Sequence, residues 1–169
     1  VGSEMCIRDR ASGSFAKSHL VPFGDYVPFQ EVLRGLITFF DLPMSSSSKG
    51  SSDQPNIVAK LGDETVQIGI GICYEIAFGD SMRTRAREAD LLVTITNDTW
   101  FGASIGPHQH MQIARVRALE NGRWLVRAAN DGITGIIDHN GNVRDELPQF
   151  TEGVLKGEFH TMQGRTPYN

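Results

Sequence analysis

The chain has 169 residues, a formal net charge of −4, 40% hydrophobic residues and 21% charged residues. This composition is typical of a folded chain and excludes disorder over the whole length. The negative charge argues against a nucleic-acid-binding protein, and two cysteines are too few for a disulfide scaffold. No apolar run reaches the roughly 18 residues that a membrane span needs.

The first ten residues, Val1 to Arg10, have neither the apolar centre of a signal peptide nor a periodic pattern. We interpret them as a non-native leader, so Cys6 is of little importance for the function. Residues 11–169 are expected to form part of one domain. The chain stops at Asn169 without a closing element, so we expect it to be a fragment.

The first predicted elements are irregular. Residues 15–30 contain two prolines and a glycine, which predicts extended chain with turns. Residues 31–40 form either a small helix packed on the core or a flap that faces substrate. The serine-rich residues 45–52 are predicted to be a flexible loop.

The middle of the chain alternates strands and helices. Isoleucine and valine at every second position predict a strand from Thr65 to Cys73, and its glycines permit close approach of a neighbouring layer. Asn140-Gly141 predicts a hairpin turn with positive φ angles. Gly122 is a predicted helix stop. Further strands are expected at 91–96, 124–129, 133–138 and 153–159, and helices at 78–89 and 108–121. This order predicts an α/β fold with a mixed sheet.

Cys73 is the first candidate for chemistry. It ends the clearest strand and is followed by Tyr74 and Glu75. A thiol at a strand-to-helix junction lies at the sheet edge near a helix N-terminus, which favours the thiolate. The alternative is a small hydrophobic residue buried at a strand end.

Lys17 and Asp25 flank a rigid segment and each has two interpretations. Lys17 is either a solvated surface residue or, if held close to a reacting carbonyl, a group that stabilises an oxyanion. Asp25 either caps a turn or orients that lysine.

Other polar and aromatic residues are less informative. His108 and His110 point to different faces of a helix, so no metal site is expected, and no cofactor either. Trp100 and Phe101 either line an apolar pocket or fold back on the core. Seven arginines are expected on solvated faces and in ion pairs, at positions 83, 85, 87, 115, 117, 123 and 127.

Four motifs extend this reading: KSHLVPFGDYVP at 17–28, GICYEIAFGD at 71–80, the block from TNDTWFG to GITG at 96–135, and the final GRTPY. Together they resemble the apolipoprotein N-acyltransferase family, bacterial enzymes with a nitrilase-like domain on a transmembrane base. The resemblance runs from Lys17 to the last residues. It implies an α/β nitrilase-like α-β-β-α sandwich that is incomplete on its N-terminal side.

The resemblance also implies roles for single residues. Cys73 would take up an acyl group as a thioester, and Lys17 would stabilise the oxyanion. Tyr74 and Glu75 would support the site. Asp25 falls where the family usually has glutamate, which keeps the charge but shortens its reach. Trp100, Phe101, Phe39 and Phe40 would contact substrate.

The implied partners are a phospholipid acyl donor, an apolipoprotein acceptor and the membrane surface. We expect a monomer at the bacterial inner membrane, with its catalytic domain on the periplasmic side. We expect no nucleic acid partner. The family's general-base glutamate lies upstream of the lysine, where this chain offers only Glu4 in the suspect leader. We do not assign the role to Glu4, so the fragment alone is expected to be inactive. The alternatives are a soluble nitrilase-type amidase and a non-catalytic truncated domain.

Overall fold

The computed structural model describes residues 2–4, 13–22, 25 and 49–169. Two short strands, β1 (Gly2–Glu4) and β2 (Ser14–Ala16), pair with each other in antiparallel fashion. The remaining elements are β3 (Ile57–Leu61), β4 (Glu64–Ile72), α1 (Gly79–Ala86), β5 (Leu91–Asn97), α2 (Gly106–Asn121), β6 (Leu125–Asn130), β7 (Thr134–Ile137) and β8 (Val143–Leu147).

Strands β3 to β8 form one six-stranded sheet in chain order. Strands β4, β5 and β6 run parallel, and the outer pairs are antiparallel. Each parallel step requires a crossover, which α1 provides between β4 and β5 and α2 between β5 and β6. The predicted α/β class with a mixed sheet is confirmed.

Both helices pack on one face of the sheet. A cluster of buried apolar side chains joins them to the strands, including Ile76, Met82, Ala86, Leu92, Met111, Ala114, Ala118, Leu125 and Ile137. The glycines of β4 allow α1 to come close, since a Cβ on Gly71 would lie 2.9 Å from the sulfur of Met82. The close approach predicted from these glycines is therefore confirmed.

This face gives a direct stability prediction. Leu92 is fully buried between the sheet and the helices, so Leu92→Ala leaves a cavity. We expect the free energy of unfolding to fall by about 2–5 kcal/mol, measured by urea denaturation. The matched control is Leu119→Ala, which truncates an exposed leucine of α2 and should change stability by less than about 0.5 kcal/mol. Equal losses in the two variants would contradict this packing.

The opposite face is covered by the C-terminal segment. Leu155, Phe159 and Met162 pack against a second apolar cluster that includes Phe15, Ile57, Ile68, Ile70 and Trp124. The strand predicted at 153–159 is wrong, because this segment has no regular structure and crosses the sheet instead of pairing with it. Gly157 lies next to Ile136 of β7, and the N–H of Met162 donates to the carbonyl of Asp90, just before β5.

Several predicted boundaries need correction. The helix expected at 78–89 is preceded by a 3-10 turn, Cys73–Ala77, and spans only Gly79–Ala86. Gly122 ends α2 with a φ of 60°, as predicted. The hairpin between β7 and β8 is confirmed. Its positive φ is confined to Gly141, whereas the predicted turn type requires two such residues.

A clasp of hydrogen bonds joins the chain before and after residues 18–49. The N–H of Gly50 donates to the carbonyl of Lys17 at 2.9 Å. The Gln54 side chain accepts from the N–H of Ala16 and donates to its carbonyl. A Cβ on Gly50 would lie 2.6 Å from the Ala16 carbonyl oxygen, so this close approach requires glycine. The segment 31–40 and serines 45–48 lie outside the described residues.

The last residues fold back on the end of α2. The Thr166 hydroxyl donates to the Glu120 carbonyl, and the Asn169 side chain donates to that of Asn121. Within the part of the chain that the structure describes, no helix combines the length and the apolar character needed to cross a membrane.

Candidate active site

Cys73 lies at a sharp turn where β4 ends and the 3-10 turn begins. Its φ is +54°, in the left-handed region that residues with a side chain seldom adopt. The residue is partly exposed and also packs against the second apolar cluster, so it combines features of both interpretations. Backbone strain of this kind persists only where the surrounding contacts enforce it. The contacts that hold this turn come from Glu75 and its partners.

Glu75 is the main anchor beneath the turn. Its fully buried carboxylate accepts a hydrogen bond from the N–H of Ile72, just before Cys73, at 2.9 Å. It also accepts from the N–H and the hydroxyl of Ser18, at 2.8 and 2.7 Å, and from the N–H of His19. One side chain thus ties the cysteine turn to the residues that follow Lys17.

The environment of Glu75 favours the ionised carboxylate. Burial acts to raise the pKa of Glu75, but hydrogen bonds from Ser18 and Ile72 and the charge of Arg85 lower it, and the net pKa lies below the usual value. The Arg85 guanidinium is 3.5 Å from the carboxylate and donates to the Ile70 carbonyl and the Ser18 hydroxyl. Ser18 and Arg85 thus complete a buried polar network that the sequence did not predict.

This network makes stability depend on pH. A carboxyl whose pKa is lowered on folding stabilises the protein above its unfolded pKa, and this contribution is lost as the pH falls through the folded value. For Glu75 the loss begins below the ordinary value of 4.5. We expect Glu75→Gln to lower the free energy of unfolding by about 3 kcal/mol at pH 7.

The difference between wild type and Glu75→Gln should shrink as the pH falls below 4.5, measured by urea unfolding from pH 7 to pH 3. Glu152→Gln, at an exposed position, is the control and should follow the wild-type curve. A constant difference at all pH values would contradict a stabilising ionised Glu75.

Lys17 is buried, with only 3% of its side chain exposed, so the alternative of a solvated lysine is wrong. Its ammonium group pairs with the carboxylate of Asp25 at 2.5 Å. Asp25 also accepts from the N–H of Val21, within a turn closed by the Asp25 N–H and the Val21 carbonyl. Asp25 therefore both caps a turn and orients the lysine, the two roles between which the sequence left a choice.

Aromatic side chains surround the cysteine turn. Phe78 stacks on His19 at 4.4 Å between ring centroids, and Tyr74 meets Phe78 edge-on at 5.9 Å. Phe101 meets the His110 ring edge-on. Trp100 is 65% exposed and Phe101 38%, so both are available to an apolar ligand and neither folds back into the core. Phe39, Phe40 and Cys6 lie outside the described residues, and the predicted substrate contacts of the two phenylalanines stay predictions.

The expectation of solvated arginines is wrong at three positions. Arg85, Arg123 and Arg127 are buried. Arg123 donates to the carbonyls of Ala89 and Gly164, and Arg127 pairs with Asp98 at 2.6 Å. Their partners are distant in sequence, which a pattern of nearby acidic residues does not reveal.

Two nearby histidines have different surroundings. His110 is buried beside Asp98, whereas His108 is exposed. They therefore face different sides of α2, as predicted from their spacing. Within the described residues no three side chains of the metal-binding types come together.

The assembled groups suit nucleophilic acyl chemistry. A thiol on a strained turn can attack a carbonyl carbon, and an ammonium group can stabilise the oxyanion that forms. Glu75 holds the segments that carry Cys73 and Lys17 together. The catalytic roles of Cys73 and Lys17, and the supporting role of Tyr74, stay predictions.

Curated relatives align with most of the chain. It is 52% identical over 157 residues to an apolipoprotein N-acyltransferase of Pseudomonas aeruginosa, covering 93% of this chain and 30% of that protein. It is 51% identical over 162 residues to an apolipoprotein N-acyltransferase of Azotobacter vinelandii, covering 96% of this chain and 31% of that protein. It is 50% identical over 155 residues to an apolipoprotein N-acyltransferase of Vibrio cholerae, covering 91% of this chain and 30% of that protein. The chain thus spans about three-tenths of the length of these relatives.

Solved structures show a similar fold at low sequence identity. An amidase from Nesterenkonia sp. has a TM-score of 0.52 at 20% identity, covering 81% of this chain and 46% of that one. The Caenorhabditis elegans NitFhit protein has a TM-score of 0.55 at 19% identity, covering 83% and 32%. The family model for carbon-nitrogen hydrolases matches residues 5–165, which includes the second half of the predicted leader. With this match over nearly its whole length, the chain belongs to the carbon-nitrogen hydrolase family.

Proposed function

We propose that this chain is part of the catalytic domain of an apolipoprotein N-acyltransferase. The identity of about 50% to proteins of that name, over more than nine-tenths of the chain, carries the proposal. The enzyme would move an acyl chain from a phospholipid to the N-terminal amine of an apolipoprotein. We place it at the bacterial inner membrane, as a monomer, with this domain on the periplasmic side.

The reaction starts at Cys73. Its thiolate attacks the ester carbonyl carbon of the phospholipid, and negative charge develops on the carbonyl oxygen. The Lys17 ammonium group, fixed by Asp25, stabilises this oxyanion. The tetrahedral intermediate collapses, the lysophospholipid alkoxide leaves and takes up a proton, and the acyl group stays on sulfur as a thioester.

The second half-reaction consumes the thioester. The α-amine of the lipidated N-terminal cysteine attacks the thioester carbonyl, loses a proton to a base and releases the Cys73 thiolate. The resemblance assigns the base to a glutamate upstream of the lysine, and we propose no residue of this chain for that role.

The exposed aromatic side chains fit an apolar acyl chain. Tyr74 and Phe78 flank the cysteine turn, and Trp100 and Phe101 follow β5, whose C-terminal end lies beside that of β4. Burying such surfaces against a hydrocarbon chain contributes about 25 cal/mol for each Å² removed from water. We propose that they bind the donor acyl chain together with the segment that contains Phe39 and Phe40.

The test uses the full-length protein in detergent with a phospholipid that carries a fluorescent acyl chain. An acyl adduct that hydroxylamine removes should form on the Cys73 peptide, identified by mass spectrometry. Adding a lipidated apolipoprotein peptide should transfer the label to its N-terminal amine. A protein that forms no adduct with phospholipid, and releases ammonia from small amides instead, would contradict the proposal in favour of an amidase.

A further inference from the structure

A buried cluster of charged side chains lies next to the cysteine turn and has no part in the reaction described above. It consists of Asp98, at the end of β5, His110, on α2, and Arg127, on β6. The His110 Nδ1 is 2.9 Å from one Asp98 carboxylate oxygen, and the Arg127 guanidinium donates to the other at 2.6 Å. The Thr96 hydroxyl also donates to Asp98.

The cluster is tightly enclosed. A Cβ on Gly132 would lie 2.4 Å from the Asp98 carboxylate, so the backbone closes directly over this group. Burial acts to raise the pKa of Asp98, but the hydrogen bond with His110 and the charge of Arg127 lower it, and the net pKa is below the usual value. Asp98 is therefore a carboxylate, and its contact with His110 fixes a proton on Nδ1.

The other side of the His110 ring reaches the nucleophile. Its Nε2 is 3.3 Å from the backbone carbonyl oxygen of Cys73. The two ring nitrogens thus face one oxygen atom each, on opposite sides of the ring. The contact is with the carbonyl of Cys73, whose φ is +54°, so the ring is placed to hold the backbone of the turn.

Arg127 connects the cluster electrostatically with the Cys73 thiol. Burial lowers the pKa of Arg127, and the negative charges of Asp98 and of the Cys73 thiolate oppose this lowering. The Arg127 side chain is fully buried, and its Nη1 has no hydrogen-bond partner among the described residues. The Arg127 cation, paired with Asp98, thus lies within electrostatic reach of the Cys73 sulfur.

We propose that His110 is a positioning residue for the nucleophile: anchored to Asp98 through Nδ1, it donates from Nε2 to the Cys73 carbonyl and holds the turn in its left-handed conformation. The inference rests on Cys73 being the reactive thiol of the proposed function. It does not depend on which acyl donor or acceptor the enzyme uses.

Two variants of the full-length protein separate the two contacts of the ring. His110→Asn places an amide near the position of Nδ1, so it keeps the Asp98 contact and loses the Cys73 contact. His110→Gln places an amide near the position of Nε2, so it can still donate to the Cys73 carbonyl. The measured quantity is the rate at which iodoacetamide alkylates Cys73, followed by mass spectrometry of the Cys73 peptide, with thermal denaturation recorded alongside.

We expect alkylation to slow about tenfold in His110→Asn and to stay within about threefold of wild type in His110→Gln, because misplacing a reacting group is costly. Both variants should lose similar stability. His108→Asn and His108→Gln, at the exposed histidine of the same helix, should leave the rate unchanged. Equal rates in the two His110 variants, or an equal slowing in the His108 variants, would overturn the proposal.

If neither His110 variant folds, the wild-type protein can still test the proposal. A crystal structure of the full-length protein should show Nε2 of His110 within hydrogen-bond distance of the Cys73 carbonyl, and a separation above about 4 Å would overturn the proposal. A protein that shows the expected alkylation pattern but transfers no acyl group would contradict the proposed function and leave the positioning role intact.

Discussion

Replacing Cys73 with serine in the full-length protein should abolish the acyl adduct formed with fluorescent phospholipid. A serine hydroxyl is ionised to a far smaller extent than a thiol and is a far weaker nucleophile than a thiolate, so we expect the rate to fall about a thousandfold or more. The adduct is measured by fluorescence on a denaturing gel and located by mass spectrometry.

The other cysteine of the chain provides the matched control. Cys6→Ser, in a full-length protein that keeps residues 1–10 of this sequence, should form the adduct at the wild-type rate and lose it on treatment with hydroxylamine. An adduct of normal yield in Cys73→Ser would show that another group takes up the acyl chain. Loss of the adduct in Cys6→Ser would show that the predicted leader takes part in the site.

The second large effect is expected at Lys17. Lys17→Met keeps much of the volume of the side chain but removes the cation, and we expect adduct formation to slow about a hundredfold to a thousandfold. The measurement is the initial rate of labelling by fluorescent phospholipid. Lys60→Met, at an exposed lysine of β3, should label at the wild-type rate.

Lys17→Met also leaves Asp25 without its partner, which by itself destabilises the protein. The double variant Lys17→Met/Asp25→Asn removes this unpaired charge. It should therefore recover stability in thermal denaturation while adduct formation stays slow. If the double variant regained the wild-type rate, the lysine would serve the fold and not the oxyanion.

Local pattern was enough to predict the centre of the fold. The alternation of apolar residues predicted β4, the spacing of apolar residues predicted α2, and Gly122 predicted its end. The hairpin signal at Asn140-Gly141 was also correct. Strands β3 and β8 were missed because each is a short strand of the antiparallel part of the sheet, where pairing with a neighbour and not local sequence decides the structure.

The candidate site was predictable only in part. The position of Cys73 at a strand end could be read from the chain, and the motifs pointed to Lys17. The environment of the cysteine depends on partners that are far apart in sequence: Glu75 accepts from Ser18, 57 residues away, and Arg127 pairs with Asp98, 29 residues away. Charged residues are usually solvated, so the sequence gives no sign that these residues are buried. Their burial follows from the assembly of the strands.

The clasp that joins Lys17 to Gly50 and Ala16 to Gln54 has a consequence for how such enzymes diverge. The chain positions on either side of residues 18–49 are hydrogen-bonded to each other, and doubling the number of residues between two such points costs only about 0.6 kcal/mol of closure entropy. Insertions and exchanges between residues 26 and 48 therefore need not move the lysine relative to the cysteine. The number of residues in this part of the chain can therefore change during evolution while Lys17 and Cys73 keep their geometry.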